Sequence, residues 1–360
     1  MVAAEAAEAV EVVEINMYCN NHNRFLLQFH ITGRCNLQCK HCYRAEGNVE
    51  TLSFEDIINV IEQFKSLQIK HNQNLKIKNK GHINITGGEP FIREDIKEIL
   101  EYLGENKECF SYGILSNGSS IKDDTIETLK KNKVSFVQLS IDGNKEMHDS
   151  LREEGDYERV LNTAANLERS GIRTYISFTA NKENYKYLPY VANECRKRKI
   201  TKLWSDRLVP IGNGQDLKQI VISSEDLEKY IKALKKAQGN IIIRTLCPKT
   251  QVTMNRSLQF QNSNGEIYSC NAGRSLITVD EFGNIMPCRR MPIICGNVFE
   301  TTISDVYYNH KVFKQLRENC LPKECASCKY SYHCRGGARC QSYAEFNSFF
   351  KADPACPLKN

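Results

Sequence analysis

Ile31-Thr-Gly-Arg-Cys-Asn-Leu-Gln-Cys-Lys-His-Cys-Tyr43 follows directly on an apolar, β-branched run at 25–31 and spaces three thiols as C-x3-C-x2-C. A loop this short can wrap three thiolates onto one soft metal centre, the donor set that iron–sulfur clusters take. Three ligands for a four-iron cube leave one iron open, and a substrate or cofactor can bind there. A zinc ion whose fourth ligand is His30 or His41 is the other reading of the same donors.

Working outward, short β-branched and aromatic runs at 25–31, 82–86, 110–115, 135–141, 174–179 and 202–208 read as strands. Between them lie helical patterns at 54–67, 94–103, 123–131, 157–169 and 185–198. In the first of these Phe54, Ile57, Ile58, Ile61 and Phe64 recur at helical spacing, behind a capping box of Ser53 and Asp56. Six strands alternating with helices predict a parallel α/β sheet. Six βα units are too few for a closed eight-stranded barrel, so the expected fold is a partial (β/α)6 TIM-type barrel with its ligands at the C-terminal strand ends. Ile211-Gly-Asn-Gly-Gln215 reads as a break, and a further helix opens at Ser223-Ser-Glu-Asp226.

The chain has 360 residues, a net charge of +6 and 41% hydrophobic residues, a balance that excludes disordered and fibrous classes. No apolar run reaches the ~18 residues of a membrane span. Glu5, Glu8, Glu11 and Glu14 near the N-terminus, with no basic segment before them, do not read as a signal peptide. The expected location is cytoplasmic, with neither membrane nor nucleic acid as partner. In a reducing compartment the 16 cysteines predict metal binding rather than disulfides. Ten of the sixteen lie between 247 and 356, in a loop-rich segment that needs metal to hold it. The expected division is an extension at 1–24, the barrel at 25–215, a bridging helix and strand region at 216–259, and a small, loop-rich, cysteine-rich metal-binding domain at 260–360.

Further motifs fall in order at the expected strand ends: Thr86-Gly-Gly-Glu-Pro90, Ser116-Asn117-Gly118, and Leu139-Ser-Ile-Asp-Gly143 with Met147-His-Asp149 and Arg152. Together with the cysteine triad they resemble the radical S-adenosylmethionine (SAM) enzymes. That resemblance covers roughly residues 25 to 210. It implies a cluster on Cys35, Cys39 and Cys42, and a SAM site formed by Gly87, Gly88 and Glu89 at the methionine amino group, Ser116 and Asn117 at the ribose, and Ser140 and Arg152 gripping ribose and carboxylate. His41 joins these cofactor contacts. The implied reaction is reductive cleavage of SAM to a 5'-deoxyadenosyl radical that abstracts hydrogen from a C–H bond.

Beyond residue 260, Cys270, Gly283 and Cys288 are followed by Cys325, Cys328 and Cys334 as C-x2-C-x5-C, and then by Cys356. This order resembles the SPASM extension of that family. The resemblance implies two auxiliary [4Fe-4S] clusters, hence three clusters in all. Cys325, Cys328, Cys334 and Cys356 would hold the distal one; Cys270 and Cys288 would hold the nearer one. The family pattern departs at Ala338, where a cysteine is usual, so Cys340 is expected to supply that ligand. Cys295, Cys320, Cys247 or an open iron would complete the set. Read without the resemblance, the same spacing also fits a zinc ribbon. Cys19, Cys109 and Cys195 read as small buried residues.

SPASM-bearing relatives mostly modify peptides. The expected function is therefore cross-linking of a ribosomally made peptide, through a thioether or C–C bond. With about 24 residues before the first strand, a leader-binding domain is not expected within the chain. A separate leader-binding protein or direct docking would replace it, and an electron donor such as flavodoxin or ferredoxin is implied. Arg289 stands where sulfatase maturases carry an Asp, which weakens that alternative. Arg289-Arg-Met-Pro-Ile-Ile resembles tetrapyrrole-modifying relatives, so a small-molecule substrate stays open, as does a non-catalytic iron–sulfur or zinc module. Lys76–Lys80 and Arg196–Lys199 are locally basic and would suit an acidic leader. Trp204 and Asp206 are expected at the cavity rim.

Overall fold

A computed structural model describes residues 24–44, 49, 51–239, 250–254, 270–318 and 321–358. The chain enters β1 (Leu26–His30) and runs through α1 (Phe54–Leu75), β2 (Gly81–Thr86), α2 (Ile96–Glu105), β3 (Phe110–Leu115), α3 (Asp123–Lys131) and β4 (Phe136–Ser140). After α4 (Lys145–Leu151) and α5 (Asp156–Arg169) come β5 (Thr174–Ala180), α6 (Leu188–Lys197) and β6 (Lys202–Arg207). The six strands expected from the sequence are all present, and β1 to β6 pair in parallel, in chain order.

The sheet does not stop there. After α7 (Ser224–Gln238), β7 (Gln251–Met254) pairs in parallel with β6. On the opposite edge, β8 (Leu276–Val279) from the cysteine-rich part pairs in parallel with β1, and β9 (Asn284–Met286) and β10 (Gly296–Asn297) continue antiparallel. The result is one ten-stranded sheet ordered β10-β9-β8-β1-β2-β3-β4-β5-β6-β7. Helices α8 (Ile303–Asn309), α9 (Lys311–Arg317), α10 (Ser331–Cys334) and α11 (Arg339–Phe346) complete the described chain.

Helix α1 starts where both halves of the Ser53–Asp56 capping box form, and its Ile57, Val60, Ile61, Phe64 and Leu67 are buried. It continues past that apolar stripe to Leu75, where the His71 ring packs tilted against Phe25 with centroids 4.5 Å apart and Asn72 donates to the Asn79 carbonyl. On the outer face of the sheet Leu27, Phe29, Ile83, Ile85, Val137, Leu139, Ile176, Phe178 and Leu203 are buried. The alternate residues Gln28, Asn84, Gln138, Ser177, Trp204 and Asp206 line the concave side. A parallel sheet covered by apolar layers on both faces reads as continuous hydrophobic runs; this one alternates, because its inner face borders a cavity.

Candidate functional site

That cavity, of about 980 Å³, extends from the first residues of the strands to their C-terminal ends. It is at the upper end of the range for sites that enclose a drug-sized ligand, which leaves room for a cofactor and part of a second molecule. Cys35, Cys39 and Cys42 open onto it, together with His41, Gly87, Gly88, Ser116, Asn117, Ser140 and Arg152.

The cysteine loop is held by backbone bonds and by side chains, Asn36 being bonded to Ser119 and Asn117. Gly88 N donates to the Thr32 carbonyl and Glu89 N to the Arg34 carbonyl, both at 2.8 Å. A Cβ on Gly87 would stand 2.3 Å from the Thr32 oxygen, and one on Gly88 1.9 Å from the Arg34 oxygen. These glycines therefore let the turn after β2 lie against the cysteine loop itself. From the other side, Asn213 N donates to the Arg44 carbonyl at 3.1 Å and Gly214 N to the Cys42 carbonyl at 3.2 Å. The Gly-Asn-Gly stretch that reads as a break is a brace for this loop.

Glu89 lies behind the cavity wall, fully buried. Its Oε1 accepts from the Ser116 hydroxyl at 2.8 Å and from Phe91 N, and its Oε2 accepts from Asn117 N at 2.7 Å. Burial pushes its carboxyl up to about 7, against the pull of those three donors. Glu89 thus ties the turn after β2 to the turn after β3.

Arg152 faces the triad. Its Nε donates to Asp142 at 2.8 Å, while its terminal nitrogens reach Cys39 Sγ at 3.6 Å and His41 Nε2 at 3.4 Å. Burial would raise the Asp142 carboxyl, but Arg152 and His41 overrule it and hold it well below the usual range. Asp142 also accepts from Thr179 N, and its own amide donates to His148, whose other ring nitrogen meets Asp156 at 3.0 Å. Burial pushes the Cys39 thiol up to about 11, although Arg152 pulls the other way. A thiol so placed becomes a thiolate only with a strong partner such as a metal centre.

Cys270 and Cys288 line the same cavity as the triad. Cys325, Cys328, Cys334 and Cys356 border a second, smaller one. Cys340 is buried in the first turn of α11 and acts electrostatically on Arg207. Cys295 donates to the Ile293 carbonyl at 3.3 Å, and burial pushes its thiol up to about 12. Cys195 is buried in α6 and Cys109 is half-buried before β3. Cys19, Cys247 and Cys320 lie outside the described residues. Among the described residues no three thiol, imidazole or carboxylate groups converge at the spacing of a single metal ion.

The family model of the radical SAM superfamily matches residues 29–195, and the SPASM model, an iron–sulfur cluster-binding domain, matches residues 262–329. This chain is a radical SAM protein with a SPASM domain. Among curated relatives, an AdoMet-dependent heme synthase of Methanosarcina barkeri is 24% identical, over 92% of this chain and 95% of its own length. A mycofactocin maturase of Mycolicibacterium smegmatis is 25% identical, over 92% and 82%. The structure of Streptococcus suis SuiB bound to precursor peptide SuiA superposes with a TM-score of 0.72 at 18% identity, covering 97% of this chain and 80% of that one.

In this radical SAM protein several site residues carry no motif signal. Asp142 lies inside a quoted motif without a role of its own, and Gly212 and Gly214 read only as loop. Arg207, Asp353, Arg44 and Glu281 are ordinary charges until the fold brings them together. The 212–214 brace is testable. Gly212 has φ of 59°, and a Cβ there would stand 2.4 Å from the Tyr43 carbonyl carbon. Gly212→Ala is expected to cost more than ~1 kcal/mol and to loosen the cysteine loop. Faster loss of iron to a chelator, with helix content unchanged by circular dichroism, is the expected signature. An unchanged rate would mean that the brace does not hold the loop.

Proposed function

We propose that this protein reductively cleaves SAM and abstracts hydrogen from a peptide, forming a thioether or C–C cross-link in a ribosomally made precursor. The observation that carries this reading is the single cavity onto which Cys35, Cys39 and Cys42 open together with Cys270 and Cys288. The donor sets fit iron–sulfur clusters, since half-buried and buried thiols border the two cavities in a set of three and a set of four. In this reading Cys35, Cys39 and Cys42 hold the radical cluster. Cys325, Cys328, Cys334 and Cys356 hold the distal auxiliary cluster, and Cys270, Cys288 and Cys340 belong to the nearer one. When bound, the clusters and SAM supply one-electron bond cleavage and a radical able to break a C–H bond.

The chain's own residues position and enclose. The turn at Gly87 and Gly88 offers backbone to the methionine moiety, and Glu89 fixes that turn against Ser116 and Asn117. His41 and Arg152 stand beside Cys39, where Arg152 presents a buried cation to an anionic ligand. Ser140 lines the wall between them. Trp204, whose indole N–H donates to Gln138 at 2.8 Å, and Asp206, paired with Arg290 at 2.7 Å, form the far wall for the substrate. Gln28, Asn84, Asn271 and Ser275 add amides and hydroxyls along the wall. Such groups suit the repeated donors and acceptors of an extended peptide backbone. SuiB, of similar fold, has been solved with its precursor peptide.

The further parts of this reading are a barrel at 25–215, a bridge at 216–259 and a SPASM domain at 260–360. A separate leader-binding protein and a flavodoxin or ferredoxin donor would complete the system in the cytoplasm. Among the described residues no helix is long and apolar enough to cross a membrane.

A second reading, a tetrapyrrole substrate, draws on Arg24 and Lys202, two cations that line the cavity at the strand starts and suit carboxylate side arms. The deciding experiment incubates the reduced, reconstituted protein and SAM with candidate precursor peptides and with an iron-coproporphyrin. Substrate-dependent 5'-deoxyadenosine and loss of hydrogen mass from a peptide are expected. Turnover of the porphyrin alone would replace the peptide reading, and absence of 5'-deoxyadenosine under all conditions would leave only a binding module.

A further inference from the structure

Beside the cysteine loop lies a buried charge cluster that the reading above does not use. Arg44 follows Cys42 by two positions, and its guanidinium donates to the Gly33 carbonyl at 2.8 Å and to Glu281 Oε1 at 3.1 Å. Its other terminal nitrogen stands 2.9 Å from where a Cβ on Gly88 would lie. Glu281 sits in the turn between β8 and β9, and the Thr51 hydroxyl donates to its backbone carbonyl. The same Oε1 accepts from Arg289 at 3.1 Å, and Arg289 is the residue after Cys288. Arg289 also donates to Asp280 at 3.0 Å. Asp280 is fixed in turn by the amides of Phe282 and Asn284. Arg44, Glu281 and Asp280 are buried, and Arg289 nearly so.

One carboxylate oxygen therefore joins the residue after Cys288 to the loop of Cys35, Cys39 and Cys42, and through Arg44 to the Gly88 turn. We infer that Glu281 is a positioning residue that fixes the separation of these two cysteine sites and balances the charge that both sense. The inference rests on the proposed reading that both cysteine sets hold clusters. Two arginines face two carboxylates, so the cluster is neutral as a whole, and in a low-dielectric interior a unit change in it acts over many ångströms. Net charge and hydrogen bonding near the sulfurs are what set iron–sulfur reduction potentials.

Glu281 Oε2 has no hydrogen-bond partner among the described residues. In Glu281→Gln the amide nitrogen can take that position while the amide oxygen keeps both arginines. The variant removes the negative charge, keeps the shared acceptor, and adds a buried amide N–H group whose cost the iron count of the variant reports. Arg289→Gln changes the balance the other way.

The test is an anaerobic redox titration followed by electron paramagnetic resonance on the full chain, with iron counted in each variant. Glu281→Gln is expected to keep its iron and to move the potentials of both the radical site and the Cys288 site positive. Arg289→Gln is expected to move the Cys288 site negative. Glu281→Ala, which removes the shared oxygen, is expected to lose iron to a chelator about 10- to 100-fold more readily. Potentials unmoved in both charge variants, or moved in the same direction by both, would overturn the inference. Should Glu281→Gln fail to fold, the sign of the Arg289→Gln shift decides alone. If wild-type protein holds no iron at Cys270 and Cys288, the functional reading fails there. The positioning role is then judged by chelator resistance of the radical site in Glu281→Ala, and unchanged resistance would overturn it too.

Discussion

Replacing Cys35, Cys39 and Cys42 together by alanine is expected to lower the iron of anaerobically reconstituted protein from about twelve to about eight per chain, and to abolish 5'-deoxyadenosine formation. The fold should survive, because the loop's supports are not thiols. Thr32, Arg34, Cys42 and Arg44 accept through backbone carbonyls from Gly88, Glu89, Gly214 and Asn213. The triple change removes the Arg152–Cys39 contact and the Leu37 amide's bond to Cys35, and Arg152 keeps its stronger partner in Asp142. The remaining eight irons would report the auxiliary sites. A wild type with about four irons and bound zinc would mean that the C-terminal thiols form a zinc ribbon, which would remove the auxiliary clusters from the proposed function. No fall in iron in the triple variant would mean that the triad is not a cluster site.

The second large effect is expected at Asp353. Its carboxylate meets the Arg207 guanidinium at 3.1 and 2.5 Å, and both side chains are almost completely buried. Burial would lower the Arg207 guanidinium, but Asp353 overrides it and keeps it charged. The same carboxylate accepts from Ala338 N and Ala355 N at 3.0 Å. Through the backbone, Asp353 N donates to Gly336 and its carbonyl accepts from Cys356 N. Asp353 thus joins the end of β6 to the segments carrying Cys334, Cys340 and Cys356. Asp353→Ala strands a buried cation and two amides, a loss of about 3–5 kcal/mol. The expected result is a lower urea midpoint together with loss of about four irons from the distal site. Pairing the change with Arg207→Met should recover part of the stability by removing the stranded charge. A midpoint within error of wild type would show that the pair contributes nothing net, as happens for exposed pairs.

Much of this architecture is readable in the chain. The six strands of the half-barrel and the capped helix α1 follow from period and capping, because their outer faces are apolar and their starts carry Ser, Asp and Glu in the right places. The strands beyond β6 are not legible in the same way. β7 to β10 are between two and four residues long, too short for a period to register, and they exist because an open edge of β1 or β6 is available to pair with. The cavity-facing side of the sheet is itself readable: Gln28, Asn84 and Gln138 alternate with apolar residues, which a sheet buried on both faces would not do.

The cysteine spacing in the N-terminal loop announces a soft-metal site, and the structure brings its three thiols onto one cavity with His41, Ser140 and Arg152. The family resemblance sets Gly87 and Gly88 against the methionine amino group, and the structure shows that they also make room for the neighbouring cysteine loop. What spacing cannot reveal is pairing across long stretches of chain. Arg44 with Glu281, and Arg207 with Asp353, join residues far apart in sequence whose individual charges look like ordinary surface charge.

The hydrogen bonding of β8 to β1 has a consequence for the birth of the molecule. Strand β1 emerges from the ribosome first, yet its outer edge stays bare until residues 276–279 have been made. Such an edge is a template for unwanted pairing, and a contact so distant in sequence closes late and slowly. A chain cut short before β8 should therefore aggregate rather than yield a free half-barrel. The cysteine loop at the end of β1 would reach its final shape only after most of the chain has left the ribosome, and metal loading would come as one of the last steps of maturation.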